Sequence, residues 1–545
     1  FGERGQNLGK AFYERSTRGG QICFDAEPVD MATGAMVDFE VDVNVPGVLP
    51  LIVDRNANSA HELGRALGPT WVSRMDVRIE VCADEVLMVS SDGALLTFPP
   101  APVDGSEVRC DGRPWLLSFV DGAYRVRDVA GGVTWVFAVT GDRASVRSVL
   151  AAEPGSRPEA DNVTGGVTGG VDGGVDDLDA VDRELAALCG AGIPGSSLAG
   201  VTETGIEIGL TSLVHRTGHW VDYDYDPATA TMTRMRRSDG TVLDITWDRG
   251  LERVVSLWVS NQDTHPGEAP QRLMTYEYDM AGRLIRLINS SQAALHYHYD
   301  EAGRPNGWTD RNGVSYFYVF DDAGRVITQV GTAGMFANAL VYLPDEAPDA
   351  PDGGQVCVLV ETAGEFACAP GTNPLTLGDG PGGALIRERL AQIEALPLVS
   401  ALRAGGLAAA GLTGQGRDGA RDVGELTVPE GWTRDEVLGD VRARVFRSTP
   451  SGDVWRIIEP SGTCVDYAHD SQHRVVSTTG PDGSVTSRSY DEFGSVTETV
   501  FPDGSSESVE PGAWGVPARV IGRDGLVTEV RADGAGQVTE VTGPD

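Results

Sequence analysis

The sequence predicts a mainly β fold built from an array of repeated β-hairpins. Of the 545 residues, 70 are glycine and 30 are proline, an excess that disfavours long helices and favours strands joined by turns. Hydrophobic residues still make up 41 % of the chain, which is enough for a large core and excludes a wholly disordered protein. A turn motif also recurs every 21 residues in parts of the chain, and a fixed period of this length indicates a repeat architecture.

The clearest repeat has the pattern aromatic-Asp-x-x-Gly, followed in most copies by Arg. Because its copies keep one spacing, we expect these residues to have one structural role in every copy. The residues that carry the repeat are Tyr278, Asp279, Gly282, Arg283, Tyr299, Asp300, Gly303, Arg304, Phe320, Asp321, Gly324, Arg325, Tyr490, Asp491 and Gly494.

A second turn signal lies between these motifs and has the same period. Asp482-Gly483, Asp503-Gly504 and Asp524-Gly525 lie 21 residues apart, and Asn312-Gly313 is of the same class. Asx-Gly favours a tight hairpin turn, since both turn residues must accept positive φ. Each unit therefore predicts a strand, a turn at Asp-x-x-Gly, a second strand and a turn at Asp-Gly. Such hairpins bury a face only when they stack on their neighbours.

The repeated side chains have two interpretations. In the first, the Asp carboxylate accepts backbone N–H groups of its own turn, and the aromatic ring stacks on the equivalent ring of the next hairpin. In the second, repeated Tyr and Asp form carbohydrate-binding platforms. The first interpretation is favoured, because turn and packing roles account for the fixed spacing.

Two segments interrupt the repeats. Residues 151–205 contain a Gly/Val/Thr/Asp-rich tract whose four-residue period does not match a calcium-binding β-roll, so a surface loop is expected. Residues 331–440 form the second interruption, and apolar residues at helical spacing over 384–396 predict a short helix that ends before Pro397.

Charge and cysteine content exclude some classes. The net charge is −37, which argues against a nucleic-acid-binding surface. Seven cysteines form no CxxC or zinc spacing and are expected to be scattered thiols, with a Cys357–Cys368 bridge as the alternative. No apolar run reaches the length of a membrane span.

Candidate catalytic and metal sites are weak throughout. No GxSxG motif is present, and Gly-rich residues 164–174 lack the Lys-Ser/Thr of a phosphate loop. His296 and His298 share one strand face, but no third ligand stands at a recognisable spacing. We therefore predict no catalytic residue, no metal, no cofactor and no enzyme activity within this chain.

The region before the repeats resembles the domain that opens the repeat core of bacterial Rhs proteins. Three short motifs occur in the order found there, of the types PVD-x-x-TG, PG-x-LPL and GP-x-W. Together with the Tyr-Asp repeats, they are similar to the Rhs/YD-repeat family, which includes insecticidal-toxin C subunits and teneurins. The opening motif consists of Pro28, Val29, Asp30, Thr33, Gly34, Pro46, Gly47, Pro50, Gly68, Pro69 and Trp71.

This resemblance implies a fold and a role. YD repeats of that family wind into a spiral sheet that closes into a hollow shell, which in bacterial members encloses a C-terminal toxin. The expected function is therefore that of an encapsulating shell of an exported polymorphic toxin used in competition between bacteria. The expected partners are the toxin domain in cis, secretion-machinery or immunity proteins, but neither nucleic acid nor a membrane span.

No match to the family's terminal core or its self-cleavage motif occurs in this chain, which begins at Phe1 rather than Met. We expect any toxin or cleavage activity to lie C-terminal to Asp545, and the location to be secreted or on the cell surface. The alternative is a secreted or cell-surface carbohydrate-binding or adhesion protein built on the same repeats. The predicted organisation is a lead-in over 1–21, an opening β domain over 22–114, degenerate repeats over 115–150, an insertion over 151–205, YD repeats over 206–330, an insertion over 331–440 and truncated YD repeats over 441–545.

Overall fold

The structure is a computed structural model in which strands dominate. It describes residues 24–25, 29–82, 84–102, 104–110, 112–139, 199–201, 205–331, 338–345, 350–362, 399–400, 403, 441–459, 461–512, 515–533 and 536–543. The mainly β prediction is confirmed over this part of the chain, where a large antiparallel sheet dominates. The predicted helix over 384–396 lies outside the described residues, as do Cys368 and most of residues 151–205.

The opening region forms small sheets around a short 3₁₀ helix at Arg74–Asp76. Its strands are β1 Phe24–Asp25, β2 Val29–Asp30, β3 Val37–Val45, β4 Leu51–Asn58, β5 Trp71–Ser73, β6 Arg78–Cys82, β7 Val86–Val89 and β8 Leu95–Phe98. Strands β3, β4 and β5 make one sheet, and β6, β7 and β8 belong to another. We call residues 29–98 the opening domain.

The remaining strands follow in chain order. They are β9 Val108–Arg109, β10 Trp115–Val120, β11 Ala123–Asp128, β12 Val133–Ala138, β13 Ala199–Val201, β14 Gly205–Gly209, β15 Ser212–His215, β16 Trp220–Tyr225, β17 Met232–Arg237, β18 Thr241–Asp248, β19 Arg253–Asn261, β20 Gln271–Tyr278, β21 Leu284–Asn289, β22 Ala294–Tyr299, β23 Pro305–Thr309, β24 Ser315–Phe320, β25 Val326–Gly331, β26 Asn338–Pro344, β27 Gln355–Thr362, β28 Val441–Ser448, β29 Val454–Ile458, β30 Cys464–His469, β31 Val475–Thr479, β32 Val485–Tyr490, β33 Val496–Val500, β34 Ser506–Pro511, β35 Pro517–Ile521, β36 Val527–Ala532 and β37 Val538–Thr542.

Strands β9 to β12 and β15 to β37 form one continuous antiparallel sheet that closes on itself. We call it the repeat sheet. The Asp-x-x-Gly turns all lie along one edge of this sheet, and the Asx-Gly turns lie along the other, because each repeat adds one complete hairpin. We call these the YD edge and the Asx edge.

A β-bulge occurs at the same point of the repeat in hairpin after hairpin. The register shifts between the aromatic residue and the residue before it at Tyr278, Tyr299, Phe320 and Tyr490. One extra residue on a single strand bends that strand and increases its twist. The repeated bulge therefore supplies curvature at regular intervals, which a sheet needs in order to return to its own start.

The predicted boundaries of both insertions need correction. Strands β26 and β27 lie inside the predicted insertion over 331–440, yet they pair with β25 and β28 and so continue the repeat sheet. Strand β14, at the start of the predicted YD repeats 206–330, lies outside the repeat sheet and pairs with β6 of the opening domain. Both elements lack the 21-residue turn motif, so the repeat spacing alone did not mark them as part of the fold.

The opening domain packs against the inner face of the first part of the repeat sheet. One core cluster joins Leu51, Trp71 and Phe98 of the opening domain to Leu257 and Leu287 of the sheet. A second cluster joins Val29 and Met31 to residues of β24 to β28, including Tyr316 and Phe446. The opening domain thus fills the inner face from β10 to about β29, and we call this stretch the first wrap.

Candidate functional site

The Asp-x-x-Gly turn is held by its own aspartate. Asp279 Oδ1 accepts the backbone N–H groups of Ala281 and Arg283, each at 2.9 Å, and Gly282 has a φ of +73°. Arg283 Nε donates to Asp279 Oδ2 at 2.6 Å. Burial raises the pKa of Asp279, but the backbone N–H and the guanidinium of Arg283 outweigh it, so that pKa lies below its ordinary value. The same Arg-Asp pair recurs at Arg304–Asp300, Arg325–Asp321 and Arg474–Asp470.

The arginine of each turn also connects one repeat to the next, a role that sequence reasoning missed. The guanidinium of Arg283 lies over the ring of Tyr299 at 5.1 Å, and that of Arg304 lies over Phe320 at 4.5 Å. A cation over an aromatic ring is attracted by the ring's quadrupole. The expected stacking of one YD ring on the next is thus replaced by a cation that alternates with the rings along the YD edge.

The hydroxyl groups of the repeat tyrosines are already used within the fold. Tyr278 donates to Val254 O at 2.6 Å, Tyr299 to Leu284 O at 2.7 Å and Tyr490 to Val475 O at 2.7 Å. Burial raises the pKa of Tyr299 to about 12. All three hydroxyl groups are thus engaged, and an arginine covers one face of the Tyr299 and Tyr490 rings, so these residues do not favour the carbohydrate-binding interpretation.

One repeat departs from the motif in a compensated way. Asp453 stands where other repeats have the arginine, and His473 stands at the turn-glycine position of the next repeat with a φ of +62°. His473 Nδ1 lies 2.7 Å from Asp453 Oδ2, and both side chains are about nine-tenths buried. Burial raises the pKa of Asp453, but the hydrogen bond with His473 and the charge of that ring outweigh burial, so the pKa of Asp453 lies below its ordinary value. The pair thus replaces the usual link between repeats.

This pair gives a double-substitution prediction. Asp453→Arg alone faces His473 with a like charge when that ring is protonated and removes its partner, so we expect a loss of about 1–3 kcal/mol. His473→Gly alone leaves Asp453 buried without its partner and is expected to cost a similar amount. The double variant restores the motif and should be close to the native protein in urea denaturation, because the two sites are coupled. Strictly additive losses would contradict a direct pair.

The pH dependence of this pair follows from the same shift. Because the pKa of Asp453 is lower in the folded state, its stabilisation is present above pH 4 and is lost as the pH falls through the folded pKa.

Several residues of the opening motif contact the repeat sheet. Gly34 has a φ of +76°, and its carbonyl accepts Val326 N–H at 2.8 Å. Asp30 Oδ2 accepts the Thr33 hydroxyl at 2.6 Å and so closes the turn that presents Gly34. Pro28 lies outside the described residues, and Val29 is fully buried in the core cluster beside β24 to β28.

The second and third parts of the motif have equivalent contacts. The carbonyl of Pro46 accepts Arg237 Nη1 at 3.0 Å, and a Cβ on Gly47 would lie 2.6 Å from that same nitrogen. Gly68 approaches the Gly282 carbonyl, where a Cβ would lie at 3.1 Å. The Pro69 carbonyl accepts Gly64 N–H at 3.0 Å, while Pro50 directly precedes β4. The motif glycines are therefore places where the backbone of one unit reaches the other.

A buried charged network joins the two units at their centre. Arg55 is fully buried, with Nε at 2.9 Å from Asp42 Oδ1, and its guanidinium lies 4.8 Å from the centre of the Trp71 ring. It also donates to the hydroxyl of Tyr297 on β22, while Tyr276 on β20 donates to Asp42 Oδ2 at 2.9 Å. The alternating acids of β3 are visible in the sequence, but only the folded structure shows that Tyr276 and Tyr297 lie against them.

The network includes a carboxyl with an unusual pKa. Burial raises the pKa of Asp38, although the charge of Arg55 and a hydrogen bond from Tyr297 at 3.3 Å oppose the rise. Burial also raises the pKa of Tyr276 and Tyr297 well above 10. These groups therefore lie buried between the opening domain and the sheet, where they join the two units.

The later part of the repeat sheet returns to its beginning and lies beside it. Arg109 Nη2 lies 3.0 Å from Glu492 Oε2, and a Cβ on Gly494 would lie 3.1 Å from the Pro114 ring. A second contact brings Gly515 to 3.2 Å from Ala130 when a Cβ is placed on it. Both contacts join YD-edge turns to Asx-edge turns that lie 21 strands earlier in the sheet order. Strands β30 to β37 therefore begin a second wrap.

The inner face of the second wrap is not covered in the way that the first is. Phe446 pairs in register with Ile457, and Ile457 with Val465. The cross-strand pairs of the following strands continue this face to Val530 and Val541. On that face Val538 and Val541 are 54 % and 60 % exposed, whereas Phe446 is 2 % exposed. The opening domain therefore leaves exposed apolar side chains on the inner face of the second wrap, where they lie among polar ones such as Thr499 and Glu507.

The described residues contain no group of three or more His, Cys, Asp or Glu placed to hold a metal ion. His296 and His298 lie on the outer face, and His298 Nε2 is 3.1 Å from the Thr309 hydroxyl. No helix within the described ranges is long and apolar enough to cross a membrane.

Register, turn chemistry and sheet closure define this chain as a hairpin-repeat protein with a shell-like β-sheet. A comparison with protein families matches the RHS repeat at residues 469–506 and a domain of unknown function (DUF6531) at residues 26–98. The chain therefore contains the RHS repeat, also called the YD repeat, at residues 469–506. A search of curated proteins finds no match.

The solved structures similar to this chain include a Tc holotoxin pore and a TcdB2-TccC3-TEV structure. A Tc holotoxin pore from Photorhabdus luminescens is 9 % identical with a TM-score of 0.29, over 93 % of this chain and 22 % of its own. A TcdB2-TccC3-TEV structure is 9 % identical with a TM-score of 0.30, over 95 % and 23 % respectively. The chain thus spans less than a quarter of the length of these two structures, and the fold described above rests on its own strand pairing.

Proposed function

We propose that this chain forms the wall and one closed end of a hollow shell that encloses a polypeptide. The observation that carries the proposal is the contrast between the two wraps. The opening domain fills the inner face of the first wrap, while the inner face of the second wrap keeps large apolar side chains exposed. A surface of that kind marks a site that another polypeptide covers.

The physical basis of containment is the closed sheet. Every strand between β10 and β36 of the curled sheet is paired on both sides, which leaves few open edges to other chains, and arginines over aromatic rings link several hairpins to the next along the YD edge. The chain has a net charge of −37, which favours a soluble particle that repels its copies. The wall itself needs no catalytic residue for this task.

The resemblance of the opening motif to bacterial Rhs proteins supports a more specific proposal. The enclosed polypeptide is a toxin encoded C-terminal to this chain, the assembly is exported, and its release serves competition between bacteria. Immunity proteins and a secretion apparatus are the partners that this role requires. The carbohydrate-binding alternative has no observation in its favour, since the repeat tyrosines are engaged within the fold.

Protease protection of the complete gene product tests this proposal. We expect the polypeptide beyond residue 545 to resist a protease that digests the same segment produced alone. Arg109→Glu, which places two carboxylates at the contact between wraps, is the variant expected to increase digestion, and Glu492→Arg in the same chain should restore protection. Equal digestion of the segment with and without the shell would refute containment.

A further inference from the structure

The wall of the sheet is apolar on both of its faces at strands β26 to β28. Leu340 and Leu359 pair in register and belong to the core cluster that contains Val29 of the opening domain, so they point inwards. Successive residues of a strand point to opposite faces, and Val341, which pairs with Val358, therefore points outwards. An antiparallel sheet with one solvated face usually alternates apolar with polar residues. These strands do not follow that alternation.

The outward side chains of these strands are buried, although the opening domain lies on the other side of the sheet. Val341 lies opposite Val358, and Val358 lies opposite Val445, so the outward valines form one continuous surface. This surface, which we call the outer patch, is nowhere more than 4 % exposed and consists of Ala339, Val341, Val356, Val358, Val360 and Val445. Burial of this degree requires a layer of protein over the outer face.

A cover of this kind is not general along the wall. Arg286 and Glu277 pair across β20 and β21 on the outer face, and their side chains are 38 % and 43 % exposed. Arg447 lies on the outer face of β28, two residues beyond Val445, and pairs with Asp345 at 3.0 Å. The side chains of that pair are only 5 % and 1 % exposed. The layer over the outer patch therefore reaches this ion pair as well.

The connection between β27 and β28 begins and ends beside the outer patch. Thr362, the last residue of β27, lies opposite Val441, the first residue of β28, so the chain leaves the sheet and returns to it at one point. Within this connection Val399, Ser400 and Arg403 are helical. Val399 is fully buried, whereas Ser400 and Arg403 are exposed. A helix with one buried and one exposed side packs on a neighbouring apolar surface.

We propose that the outer patch is the docking surface of the helical segment around Val399, which packs Val399 against Val341 and Val358. Another protein is not the occupant, because the outer patch is already buried within the single chain. The inference goes beyond the proposed function and does not depend on it, since the outer patch and the enclosed space lie on opposite faces of the wall.

The docked helix gives this part of the wall a second source of stability. Strands β27 and β28 are joined by a long connection, so neither an Asp-x-x-Gly turn nor an Asx-Gly turn fixes their pairing. Burial of their outer face adds hydrophobic stabilisation. The connection thus stabilises the hairpin that it interrupts.

Two isosteric substitutions on opposite faces of β27 test the docking surface. Val358→Thr places a hydroxyl in the outer patch, and Cys357→Ser places one on the inner face, where Cys357 is equally buried. Trypsin cleaves after Arg403 when the helix detaches, at a rate that follows the population of the detached form. We expect Val358→Thr to speed this cleavage at least about tenfold, because an unpaired buried hydroxyl weakens the docked state. Mass spectrometry of the purified full chain measures the cleavage.

Cys357→Ser is the matched control and should leave cleavage after Arg403 unchanged. Its hydroxyl is buried in the same strand, but on the face that the opening domain covers. Equal cleavage rates in the two variants would overturn the assignment of the helix to the outer face.

Substitutions in the helix give the reciprocal test. Val399→Asp places a carboxylate against the outer patch, whereas Ser400→Asp changes the neighbouring exposed position. We expect Val399→Asp alone to speed hydrogen exchange in β26 to β28 at least about tenfold, while exchange in β20 and β21 stays unchanged and shows that the chain is folded. Unchanged exchange in β26 to β28 would mean that Val399 is buried elsewhere, and would overturn the proposal.

Discussion

Arg55→Ala is expected to lower the free energy of unfolding by about 3–5 kcal/mol, the usual cost of removing one partner from a buried ion pair. Arg55 is fully buried, and the side chain of its partner Asp42 is only 2 % exposed. Without the guanidinium, the Asp42 and Asp38 carboxylates lie between the opening domain and the sheet with no counter-charge. The rings of Trp71 and Tyr297 also lose the cation between them. Urea denaturation of the purified chain measures the effect.

The pH dependence of the Arg55→Ala variant gives a second measurement. Burial already raises the pKa of Asp38 in the native protein, and loss of Arg55 removes the charge that opposes this rise. A carboxyl whose folded pKa is raised is protonated more readily in the folded state, so stability is greatest at low pH and falls as the pH rises through the folded pKa. The loss caused by Arg55→Ala should therefore be smaller at pH 4 than at pH 7.

The matched control for Arg55 lies on the outer face of the same sheet. Arg286 pairs with Glu277 at 3.1 Å, but both side chains are more than a third exposed. Arg286→Ala is expected to cost no more than about 1 kcal/mol, since exposed pairs are weak. Equal losses for the two variants would show that Arg55 does not join the two units in the way the contacts indicate.

Gly34→Ala is expected to detach the opening domain locally from the sheet, at a cost of about 2–4 kcal/mol from backbone strain and overpacking together. Gly34 has a φ of +76°, and an added Cβ would lie 2.7 Å from both Arg325 Cβ and the Tyr342 hydroxyl. The backbone there cannot withdraw without losing the bond from Val326 N–H to the Gly34 carbonyl. Hydrogen exchange at the Val326 amide should become faster, together with a lower midpoint in urea.

Gly313→Ala separates strain from contact. Gly313 has a φ of +84°, similar to that of Gly34, but an added Cβ would meet no atom within 4 Å. This control carries the backbone penalty alone, about 1 kcal/mol, and should leave exchange at Val326 unchanged. A Gly34 variant no less stable than the Gly313 variant would mean that the opening domain does not press on the sheet at this point.

Much of the repeat sheet could be predicted from the sequence because its rules are local. Asp279, Gly282 and Arg283 lie within five residues of one another and form their turn with contacts inside that span. The hairpins, the two kinds of turn and their period follow from such contacts. The function of Arg283 beyond its turn was missed, since the Tyr299 ring that it covers lies in the next repeat.

The non-repeated elements were harder to predict for a related reason. Strands β26 and β27 carry neither turn motif, yet Leu340 and Leu359 pair in register within the repeat sheet. Their place is decided by the apolar face that they share with the opening domain rather than by a local signal. The sequence-based boundary at residue 331 marked the end of the motif and not the end of the sheet.

The sequence by itself determined the hairpin, its 21-residue period and the opening motif, because glycine, aspartate and proline restrict the backbone within a few residues. Only the tertiary structure decided what that motif is for. Gly34, Gly47 and Gly68 meet Arg325, Arg237 and Gly282, partners that lie some 190 to 290 residues away, and no local pattern encodes such distant contacts. The many glycines of the chain therefore have two different roles. The periodic glycines form turns, whereas those of the opening motif allow a distant part of the chain to come close to the backbone. Closure of the sheet depends likewise on Arg109 reaching Glu492.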